Sequence, residues 1–174
     1  MRYVLAAFDG SAPSRQAASV AQRIASHCGA RLHLLTVAGY PLAPDLGIDE
    51  LVEQRLQRCE SALQTLRRAL GAQLTTQLTP HAPLDARWMI HVALRTGIAA
   101  DEIVRYAEEF GVGRIVVGCR WRWFGRWPAS RTVRALLARA PCAVTVVDPQ
   151  GNVMLERDAL PQRDVAQAPQ RWWV

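Results

Sequence analysis

Lysine is absent from this chain of 174 residues, and all 21 of its basic residues are arginine. A GC-rich genome explains the bias, and its chemical consequence is to exclude lysine catalysis and the lysine-bearing phosphate loop. Cysteine is scarce: Cys28, Cys59, Cys119 and Cys142 are widely spaced and form no C-x-x-C pair. That spacing excludes a zinc ribbon or a dense disulfide scaffold and predicts reduced structural thiols. The four histidines show no H-x-x-x-H spacing, so no metal site is expected. Long apolar runs are also missing. The opening run Tyr3–Phe8 is too short for a leader or a membrane span, and no later stretch is longer. A soluble cytoplasmic protein is the expectation. There is no internal repeat.

Acidic residues are missing from one segment only. Residues 1–113 carry 11 arginines and 11 acids; residues 114–147 carry seven arginines and no acid; residues 148–174 carry three arginines and four acids. The net charge of +6 therefore sits in one short stretch, a local face rather than a general basic character.

What is present alternates between strands and helices. Tyr3–Phe8 and Leu32–Val37 are continuous apolar runs, as expected of strands covered on both faces. Ser11 can cap a helix over about 12–28, with Ala17, Val20, Ala21 and Ile24 on one stripe and Gly29 as its stop. From Asp49 a long helix carries Val52, Leu56, Cys59, Leu63, Leu66 and Leu70 at spacings of four and three, and residues 71–87 read as a polar connection. Trp88–Leu94 alternates, which suits a strand near a sheet edge, with His91 partly exposed on it. A helix from Gly97 to Phe110, a strand over Ile115–Val117, a helix over about Ser130–Ala140 and a strand over Ala143–Val147 complete the series. This order predicts an α/β fold with a parallel sheet and helices on both faces. Residues 1–148 read as the domain and 149–174 as a C-terminal tail.

Three stretches carry a resemblance: AAFDGSAPS at 6–14, GIAADEIVRYAEEFGVGRIVVG at 97–118, and LLARAPCAVTVV at 136–147. In order and spacing they resemble the universal stress protein family, across residues 2–147. The resemblance implies a doubly wound, flavodoxin-like sheet of five parallel strands in the order 3-2-1-4-5, and a homodimer formed through the last strand. It also implies a ligand site beyond the carboxyl ends of the strands, beside strand 1. In ATP-binding members the residues ending strands 1 and 2 frame adenine and ribose, and Asp9 and Val37 match those positions. A carboxylate at a strand tip also caps turns, and that reading of Asp9 stays open.

In those members the phosphates lie on G-x-x-G, nine residues, then G-Ser/Thr. Small residues matter there because backbone N–H groups must approach phosphate oxygens closely. Gly118 matches the first glycine, Trp121 stands at the second, Ser130 at the distal glycine and Arg131 at the hydroxyl position. One glycine of three is kept. ATP or another adenine nucleotide with Mg²⁺ is thus not the expected cofactor, and no other cofactor is expected. The replacing loop, CRWRWFGRWPASR at 119–131, holds Arg120, Trp121, Arg122, Trp123, Arg126 and Trp127. Arginine and tryptophan favour a protein interface, or the guanidinium groups form an altered anion clamp. Single-stranded nucleic acid ranks lower, because the basic stretch is short. No nucleophile–base pair can be named, so the expectation is a stress-response or regulatory binding protein with at most weak ATPase activity. The rival is a nucleotide-dependent switch.

Overall fold

The computed structural model describes residues 1–39, 48–77, 89–120 and 130–159. Ten elements follow in order: β1 (Tyr3–Ala7), α1 (Ala12–His27), β2 (Arg31–Ala38), α2 (Ile48–Gln77), β3 (Ile90–Thr96), α3 (Ala99–Glu109), β4 (Arg114–Gly118), α4 (Arg131–Arg139), β5 (Ala143–Val147) and β6 (Val153–Arg157). The sheet order is β3-β2-β1-β4-β5-β6, and β1 to β5 run parallel, as the resemblance implied.

Strand side chains alternate between the two faces of a sheet, so a continuous apolar strand feeds two cores. Val4, Ala6 and Phe8 point to the layer with Ala17, Ala21, Leu63 and Leu70, whereas Leu5 points to the layer with Ile103, Val133 and Leu136. α1 packs on β1 and β4, α2 on β2 and β3, and α3 and α4 lie together under the opposite face. Ser11 caps α1 by accepting from Ser14 N–H at 3.3 Å. Each fully buried leucine contributes about 1.5–3 kcal/mol, and together they outweigh any single polar contact.

Two elements run past their expected ends by two residues or more. α2 runs on through Gly71 to Gln77. One glycine costs a helix only about 1 kcal/mol, and no proline intervenes before Pro80. β3 is the edge strand, as expected, but extends to Thr96, because Arg95 and Thr96 pair through their backbones with Val37 and Ala38 and need no apolar side chain. Trp88 lies outside the described residues.

The larger correction concerns the tail. The sheet has six strands, and β6 pairs antiparallel with β5: Val144↔Arg157, Thr145↔Glu156, Val146↔Leu155 and Val147↔Val153. The skipped residue, Met154, is the extra residue of a bulge. Asp148 shapes the turn. Its Oδ1 accepts from Gln150 and Asn152 N–H, both at 2.8 Å, and its Oδ2 accepts from Asn152 Nδ2 at 2.9 Å. Gly151 follows at φ +90°, where a side chain would be strained. The strand is then fastened by side chains. Arg114 Nη1 donates to Glu156 Oε1 at 2.6 Å, and Arg157 Nη2 donates to the carbonyls of Ala140 at 2.8 Å and Cys142 at 2.9 Å. The outer edge of β5 is therefore occupied by the same chain.

Candidate functional site

The order β3-β2-β1-β4-β5 reverses direction at β1, and a doubly wound sheet opens a crevice there. A cavity of about 100 Å³ lies at this point. Its floor is made by the ends of β1, β2 and β4: Ala7 in the first with Phe8 and Asp9 just after it, Leu35 and Val37 in the second, Val117 and Gly118 in the third. Its walls are the opening turns of three helices, through Ser14 of α1, Ala99 and Ile103 of α3, and Ser130 and Thr132 at the start of α4. Three helix N-termini thus border one space, an arrangement that favours a negatively charged or electron-rich group there.

Asp9 is the only ionisable residue among the described residues lining the cavity. Its Oδ1 accepts from Ser11 N–H at 2.9 Å, and its own N–H donates to Ser14 Oγ at 3.4 Å. Burial pushes its carboxyl up, but the hydrogen bonds from Ser11 and Ser14 outweigh burial and hold it below the usual carboxylate range. Asp9 therefore caps its turn and still presents a charged carboxylate to the cavity.

Gly118 has a structural reason to be glycine. A Cβ built there would stand 2.3 Å from the Pro13 carbonyl carbon and 2.6 Å from Ser14 N, both backbone atoms of α1. The glycine permits the close passage of β4 past α1, whatever the cavity holds. Ser130 likewise has a local role: its Oγ accepts from Val133 N–H at 3.4 Å as the cap of α4.

Of the residues singled out from sequence, Asp9, Val37, Gly118 and Ser130 meet around the cavity. Arg131, the first residue of α4, is exposed and does not line it; Thr132 does. Arg120 is exposed. Trp121, Arg122, Trp123, Arg126 and Trp127 lie outside the described residues. Ser14 and Thr132 were missed, and the signal for both was their place in the first turn of a helix that follows a strand end. Among the described residues there is no group of His, Cys, Asp and Glu able to hold a metal, and no helix is long and apolar enough to cross a membrane.

Fold and cavity define the class: a doubly wound α/β domain with a crevice at its switch point. The sequence model of the universal stress protein family matches residues 1–148, and the chain belongs to that family. No curated protein matches the chain. Among solved structures, the universal stress protein UspA from Lactobacillus plantarum superposes with a TM-score of 0.66 at 21% identity, covering 83% of this chain and 96% of that one. A universal stress protein family member from Burkholderia pseudomallei gives 0.59 at 23% identity, covering 83% and 94%. A universal stress protein in complex with cAMP gives 0.60 at 19% identity, covering 84% and 96%.

Proposed function

We propose that this protein is a non-catalytic regulatory binding protein of the stress response, acting in the cytoplasm without a bound cofactor, and that its crevice does not hold ATP in the way typical of the family. The observation that carries this reading is the position of Gly118. The one glycine kept from the phosphate run is required by the backbone of α1, so its presence is no sign of a phosphate cradle. The remaining positions of that run are tryptophan, serine and arginine. The segment between Gly118 and Ser130, both beside the crevice, is rich in arginine and tryptophan and suits a protein partner.

A second reading has its own support. Three helix N-termini and the Asp9 carboxylate surround the crevice, which favours an adenine nucleotide acting as a switch. Thermal denaturation separates the two. At about 5 mM ATP with Mg²⁺, a site with a Kd of about 10 μM would stabilise the fold by about 4 kcal/mol. That would raise the midpoint by several degrees, whereas the first reading predicts no shift. A homodimer, if it forms through the last strand, uses the outer edge of β6, where Leu155 is exposed. Leu155→Lys should then halve the mass measured by light scattering, and an unchanged mass would place the contact elsewhere.

A further inference from the structure

We propose that His33, Tyr106 and His91 form a proton-responsive latch that fastens α3 to the β2–β3 edge of the sheet and releases in acid. His33 and His91 are register partners on adjacent strands, with ring centroids 4.9 Å apart. Tyr106 reaches them from α3. Its hydroxyl lies 2.9 Å from His33 Nδ1 and 3.2 Å from His91 Nδ1. A phenol has one proton, so it donates to one ring nitrogen and accepts from the other. That arrangement is complete with both imidazoles neutral, one in each tautomer. It is also complete with a single proton added at His91, the exposed ring.

It fails when His33 is protonated as well. Both Nδ1 atoms then donate, the phenol proton loses its acceptor at a residue 1% exposed, and two imidazolium rings stand 4.9 Å apart. The surroundings offer no relief. Tyr3 of β1 and Phe110 after α3 cover the His33 ring at 4.8 and 5.6 Å, and Arg31 of β2 adds positive charge. Arg95 of β3 lies over the Tyr106 ring, and the nearby carboxylate, Glu109 of α3, pairs with Arg95 at 2.7 Å. Burial, then the charges of His91 and Arg31, push His33 down to about 4, and burial pushes the Tyr106 hydroxyl up to about 12. The latch is therefore closed at neutral pH. α3 and β2 also wall the crevice through Ile103, Leu35 and Val37, so release would loosen that wall.

The test is amide hydrogen exchange on the full chain at pH 7 and pH 5, corrected for intrinsic rates, in the wild type and in His33→Leu and His33→Asn. Between those pH values the wild type should lose roughly tenfold more protection in residues 90–109 than in β4 and β5, as expected for a base that resists protonation only when folded. Either His33 variant that folds should show no such excess. An equal loss everywhere in the wild type would overturn the latch, as would an excess that survives in the variants. Ring proton resonances of the wild type provide a check free of substitution: His33 titrating near 6.5 would also overturn it.

Discussion

Gly118 shows how a residue can look like a ligand contact and be a packing requirement. A Cβ at that position meets backbone atoms of Pro13 and Ser14, which cannot rotate away as a side chain would. Gly118→Ala should therefore destabilise by about 1–3 kcal/mol through overpacking, measured as a lower urea midpoint at unchanged slope. Loss of ligand binding without loss of stability would give Gly118 back to a phosphate site. Asp9 and Asp148 make a second prediction at this scale. Both carboxyls are held below 3.8, Asp148 chiefly by the Asn152 side chain, and Asp9 by Ser11 and Ser14 against the upward push of burial. A group whose folded value is depressed adds stability above its unfolded value, and that stability is lost as pH falls through the folded value. Asp148→Asn and Asp9→Asn should each flatten the acid limb of a stability–pH curve below about pH 4. A limb as steep as the wild type's would remove them from the account. That Asp9, Val37, Gly118 and Ser130 come together around one cavity was legible from the family resemblance, which puts them at the ends of strands and the start of a helix. Phe8, Leu35 and Ile103 were not, since an apolar residue that lines a crevice reads the same as one in the core. The pairing of His33 with His91, and of both with Tyr106, depends on strand register and on contacts 73 and 15 residues apart in sequence.

At the scale of elements, β1 to β5 follow from apolar runs, and their helices from stripes and caps. β6 escaped because 148–174 was weighed as one segment, whose average composition is polar and proline-containing. The local signal was Asp148-Pro149-Gln150-Gly151, a turn sequence, followed by Val153–Leu155. The consequence is physical. β6 covers the hydrogen-bonding edge of β5, whose Val144 and Val146 are fully buried. Removing residues 149–174 should leave that edge unpaired, and an unpaired edge is a template for another chain. The truncated protein is expected to self-associate more strongly than the full chain, seen as a larger mass in light scattering at equal concentration. A truncation that keeps the mass and solubility of the full chain would mean that β6 has no such role.

For the whole molecule, the sheet places three helix N-termini and one carboxylate around a crevice, while the sequence between Gly118 and Ser130 holds arginine and tryptophan where the family's phosphate run has small residues. On the reading proposed above, the crevice keeps the switch-point position of a nucleotide site and lacks its phosphate-binding chemistry. Calorimetric titration of the full chain with ATP and Mg²⁺ tests that claim most directly, run beside the double variant Trp121→Gly, Arg131→Ser, which restores the residue types of the family's phosphate run at those two positions. The account predicts no binding heat for the wild type up to millimolar nucleotide and a measurable heat for the variant. A micromolar dissociation constant for the wild type would contradict it.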